Sequence, residues 1–121
     1  MSENKRRAFT KAERKRVYEK CNGRCAYCGC RIALDEMQVD HVIPLHSEMG
    51  TNDFENLMPA CRSCNHYKST MSIEKFREML EGIPGRLIRD SCIFKIGLRF
   101  GTVLYRRQHI KFYYERMGKN E

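Results

Sequence analysis

Two cysteine pairs, Cys25-x-x-Cys28 and Cys61-x-x-Cys64, lie 32 residues apart in a chain of 121. Two residues between cysteines let one turn present both sulfurs to the same ion, and zinc takes four such ligands in a tetrahedron. Cys21 and Cys30 are near enough to compete for the first knuckle, so spacing does not force the pairing there; Cys92 has no partner in the sequence and reads as a small core residue. Seven cysteines are an odd number, and the opening MSENKRRAFTKAERKR has no apolar export segment. Together these argue against a secreted disulfide framework and for thiolates kept reduced to hold metal. The insert between the knuckles carries its own polar constellation: Asp40-His41, then Asn56, then Asn65 directly after Cys64.

The pattern Cys-x-x-Cys, Asp-His-x-x-Pro, Asn-Leu, Cys-x-x-Cys-Asn-x-x-Lys resembles the HNH endonucleases, whose active site is a ββα-metal unit, over residues 21–70. The resemblance implies that His41 is the general base, that Asp40 and Asn65 bind a divalent ion, and that Asn56 braces the loop. The chemistry agrees. A neutral imidazole titrates close enough to pH 7 to take a proton from water attacking phosphorus. A few oxygen ligands such as Asp40 and Asn65 suit Mg²⁺ or Mn²⁺ and leave positions for waters and phosphate oxygens. Many members carry histidine where this chain has Asn65, so His66 becomes the ligand if the register slips by one; some add a further histidine where Ser69 stands.

These residues need elements to position them. Thr10 followed by Glu13 has capping-box spacing, and residues 11–20 read as a basic helix stopped by Asn22-Gly23. Between Arg31 and Ile43 the apolar Met37, Val39 and Ile43 alternate as on a half-buried strand, which Pro44 ends. Residues 45–55 form a loop, Leu57 to Ala60 a second short strand, and the segment from Cys61 to about Ser69 a helix. Adjacent side chains on a strand face opposite ways, so Asp40 and His41 can serve one phosphate only if the strand ends or bulges there. Ser72 is expected to cap a helix ended by Gly82 and Pro84, and Ser91 another closed by Gly101. The tail from Ile110 to Tyr114 is rich in strand formers and is expected to add a closing strand.

Net charge is +8, and it is uneven: residues 1–24 carry nine basic and three acidic side chains, residues 25–82 five and nine, residues 83–121 nine and three. An acidic middle between basic flanks suits a site that holds cations and then meets phosphates. Lys11, Arg14, Lys15, Arg62, Lys68, Arg106 and Arg107 are the expected backbone contacts, with no dedicated base-reading element. No segment has the ~18 apolar residues of a membrane span.

The expectation is therefore α+β: a single small domain over 11–121, after a basic tail at 1–10, with a ββα-metal core at 21–70 stapled by a four-cysteine zinc site. A helical extension at 72–121 and the N-terminal helix flank that core. The expected function is a cytoplasmic, metal-dependent DNA endonuclease, phage- or prophage-encoded in a bacterial host. The rivals are a zinc-stabilised nucleic-acid-binding module without catalysis, and a nuclease subunit active only within a larger phage packaging or restriction assembly.

Overall fold

A computed structural model describes residues 8–118; the first seven residues of the expected basic tail lie outside them. Where length alone suggested one domain, the chain falls into two compact units, one of residues 74–110 and the other of the segments on either side. Three consecutive helices make enough local contacts to form a unit of their own.

In the larger unit, helix α1 (Lys11–Glu19) begins as its capping box requires. The Thr10 Oγ1 accepts from the Glu13 N–H at 3.1 Å, and the Glu13 carboxylate accepts from the Thr10 N–H at 2.8 Å. Strand β1 (Gln38–His41) pairs antiparallel with β2 (Leu57–Ala60), Asp40 opposite Met58 and His41 opposite Leu57. The strand expected between Arg31 and Ile43 is shorter than its alternation suggested. A 3-10 turn occupies Leu34–Glu36, and Ile43, past the strand's end, is exposed. Val17, Met37 and Leu57 form a core with Phe9, Tyr18, Ile32, Val39 and Phe54 packed around it. Burying such side chains stabilises by about 1.5–3 kcal/mol each.

Helix α2 (Arg62–Lys68) follows β2 directly and completes a ββα unit. The loop between the strands turns sharply at Gly50, where a Cβ would collide with the Pro44 carbonyl.

The expected closing strand is absent. Phe112 is buried, its N–H is capped by the Glu115 carboxylate at 2.8 Å, and helix α6 runs Tyr113–Gly118. The Tyr113 and Tyr114 N–H groups do bond the Tyr27 and Ala26 carbonyls, at 3.0 and 2.8 Å. β-propensity reports only a fit to a pleated surface, and a capped first turn outweighs it here.

In the smaller unit, α3 (Ile73–Glu81, its first residue in the larger unit) is followed by α4 (Ile83–Asp90) and α5 (Cys92–Phe100). Pro84 does not end a helix; it sits in the first turn of α4, where a missing N–H costs nothing. Ser91 caps α5 and Gly101 closes it at φ +75°, both as expected.

Candidate functional site

The four cysteines converge. Their sulfurs all lie within 4.8 Å of one another, and the Cys28 and Cys61 sulfurs are 3.9 Å apart. A tetrahedron with Zn–S bonds of ~2.3 Å has edges of about 3.8 Å, so this arrangement fits a four-thiolate zinc site. Backbone groups prepare it: the Tyr27 N–H donates to the Cys25 sulfur and the Cys64 N–H to the Cys61 sulfur, each at 3.4 Å. A hydrogen bond from the Cys64 side chain, joined by the backbone groups of Cys61, Cys28 and Tyr27 and opposed by burial, holds the Cys25 thiol far below its usual range and favours the thiolate that a metal needs. Cys21 stands apart in the core, where burial pushes its thiol up to about 11, and Cys30 is outside the cluster. The four sulfurs grouped by geometry are those of the two knuckles, with Cys30 beside Cys28 and Cys61.

Asp40, His41 and Asn65 line one cleft of about 480 Å³, with His46, His66 and Ser69 around it. Asp40 is almost fully buried. Its Oδ2 accepts from the Tyr27 hydroxyl at 2.5 Å and lies 3.1 Å from the Lys68 Nζ. Burial raises the Asp40 pKa, against the opposing pull of Lys68 and the Tyr27 hydrogen bond. Both partners take Oδ2, which leaves Oδ1 without a hydrogen bond among the described residues. The Asn65 side-chain amide makes no hydrogen bond among the described residues. A carboxylate oxygen and an amide oxygen on one cleft wall are a donor set that fits a hard divalent ion.

His41 is the last residue of β1, so the strand does end there. Its ring lies 6.2 Å from that of Phe9, and its Nε2 is 2.8 Å from the Asn52 Oδ1. Asn56 holds the loop that brings Asn52 there. Its Oδ1 accepts from the Ile43 N–H at 2.8 Å, while its Nδ2 donates to the Ile43 and Thr51 carbonyls at 3.0 and 2.8 Å.

The basic residues divide. Lys11, Lys15, Arg62, Arg106 and Arg107 are exposed. Lys68 is not: its side chain has 0% exposure and ties Asp40 to the His41 carbonyl at 3.0 Å, which removes it from reach of a phosphate. Arg14 turns one guanidinium nitrogen inward to the carbonyls of Leu34 and Met37, at 2.9 and 2.8 Å, and so serves the fold. Helix α1 also spends Lys20 on the Phe54 and Leu57 carbonyls, at 2.7 and 2.6 Å.

Two residues at the site were not singled out by sequence reasoning, Tyr27 and Asn52. Tyr27 is an interior position of a knuckle, and only the packing of its ring against Phe112, at 5.3 Å edge to face, shows that it points inward. Asn52 sits in a polar loop where asparagine is ordinary turn chemistry.

Residues 25–70 match the family model described as HNH endonuclease. The chain is 40% identical over 47 residues to the CRISPR-associated endonuclease Cas9 of Corynebacterium diphtheriae, covering 39% of this chain and 4% of that protein. It is 38% identical over 65 residues to the Septu protein PtuB of Bacillus thuringiensis, covering 49% and 24%. The chain therefore spans a quarter or less of the length of these relatives. Its fold resembles the crystal structure of the Type II-C Cas9 enzyme from Actinomyces naeslundii, with a TM-score of 0.53 at 24% identity over 62% of this chain and 8% of that one. No helix among the described residues is long and apolar enough to cross a membrane.

Proposed function

We propose, from the match of residues 25–70 to the family model described as HNH endonuclease, that this chain hydrolyses phosphodiester bonds of DNA in a metal-dependent reaction. The observation that carries this reading is the meeting of Asp40, His41 and Asn65 on one cleft. Asp40 and Asn65 would hold Mg²⁺ or Mn²⁺, with His66 as the alternative ligand on the same wall. Such an ion supplies charge stabilisation for the phosphorane-like transition state and the leaving 3′ oxygen.

His41 takes the proton from the attacking water, a contribution typically worth ~100-fold to 10,000-fold. Asn56 fixes the loop opposite the base. Tyr27 and Lys68 hold Asp40 from behind, so the carboxylate meets the ion without rearranging. The four cysteines hold zinc, which anchors both ends of the ββα unit. Lys11, Lys15, Arg62, Arg106 and Arg107 grip the phosphate backbone, which predicts affinity that falls steeply with salt and little base selectivity.

A second reading is that the chain acts inside a larger phage or restriction assembly and cuts weakly alone. Supercoiled plasmid incubated with Mg²⁺ or Mn²⁺ tests the proposal. The parent is expected to nick, and His41→Ala to bind plasmid without nicking it. Equal cutting by both proteins would remove His41 as the base, and no cutting under any divalent ion would favour a binding module.

A further inference from the structure

We propose that Asn52 is a positioning residue that sets the tautomer and aim of His41, so that Nδ1 is the nitrogen that accepts the proton. This rests on the reading of His41 as the base. In neutral imidazole one nitrogen carries the proton and the other the lone pair, and the hydrogen bond made by one decides the role of the other. Here Nε2 lies 2.8 Å from the Asn52 Oδ1, an atom that only accepts. The ring must therefore donate through Nε2–H, which leaves the lone pair on Nδ1. Nδ1 has no hydrogen-bond partner among the described residues, and no buried polar side-chain atom is left without one, so Nδ1 is the nitrogen open to water.

One further contact restrains the ring itself, and another braces the loop that carries its acceptor. The Phe9 ring lies 6.2 Å away, tilted by 41°. On the other side, Asn52 follows Thr51, whose carbonyl accepts from the Asn56 amide at 2.8 Å. A brace on the loop is thereby converted into a fixed acceptor for the ring. Holding a base within the angle that proton transfer tolerates is a positioning effect, separable from its basicity.

The test combines nitrogen-15 NMR of histidine-labelled, zinc-loaded protein with steady-state cutting in Mn²⁺. At a pH above the imidazole range, His41 of the parent should show a protonated Nε2 and an unprotonated Nδ1, with a slowly exchanging Hε2 proton. Asn52→Leu should lose that slow proton and lower kcat roughly 10-fold to 100-fold, with KM and Mn²⁺ affinity unchanged. Asn52→Asp, which keeps the acceptor, should restore the proton and most of kcat. A ring protonated on Nδ1 in an active parent, or full kcat in Asn52→Leu, would overturn the role of Asn52 alone. A parent that cuts no better than His41→Ala would overturn the base assignment and this role with it. Should the leucine variant lose its zinc, the tautomer of the parent and the kcat of Asn52→Asp decide.

Discussion

Replacing Lys68 by methionine should destabilise this protein far more than loss of a surface lysine would. The Lys68 side chain has 0% exposure and that of Asp40 6%, and the ammonium lies 3.1 Å from the carboxylate. Methionine matches the length of the lysine stem, so packing changes little and the lost quantity is chiefly charge compensation. Removing one partner of a buried pair costs about 3–5 kcal/mol, against about 0–1 kcal/mol for an exposed one. The His41 carbonyl loses its 3.0 Å donor in the same step. Since a whole domain is stable by only ~5–15 kcal/mol, the variant should retain a small part of the parent's margin. Urea denaturation of the zinc-loaded protein reads this as a lowered midpoint at unchanged slope. Adding Asp40→Asn in the methionine background should return most of the loss, because the stranded charge is gone. A cost below 1 kcal/mol, accompanied by a salt dependence of DNA affinity weakened by about one phosphate contact, would refute the buried pairing and restore Lys68 to the substrate.

Two other outcomes follow from the site. Chelating the metal from the Cys25, Cys28, Cys61 and Cys64 cluster should unfold the ββα unit, since structural zinc contributes ~10–16 kcal/mol in small peptides; far-ultraviolet circular dichroism with zinc quantitation checks this, and a folded zinc-free protein would contradict it. Asn56→Ala removes three loop hydrogen bonds of 2.8 to 3.0 Å and should cost roughly 2–4 kcal/mol. It should also lower kcat while Mn²⁺ affinity, measured by calorimetry, holds, because Asp40 and Asn65 lie outside that loop.

The sequence carried the site's outline through features whose physics is local. The capping box of Thr10 and Glu13, the spacing within each knuckle and the end of β1 before Pro44 depend on residues close in the chain, whereas the bracing expected of Asn56 came from the family resemblance and reaches Ile43 across 13 residues. What escaped it depends on direction. Lys68 reads as a surface charge until β1 is placed beneath α2, and Arg14 as a phosphate contact until the carbonyls of Leu34 and Met37 arrive across 20 and 23 residues. Tyr27 and Asn52 are ordinary in their segments and become functional only through partners 13 and 11 positions away. The tail from Ile110 was misread as a strand because propensity weighed its aromatic residues without the buried Phe112 and the Glu115 cap.

Tyr27 lies between Cys25 and Cys28 and donates its hydroxyl to Asp40, so a single side chain ties the cysteine cluster to the carboxylate of the cleft. On the proposed function, oxidation of the cysteine cluster would disarm the cleft through that tie, with its own ligands untouched.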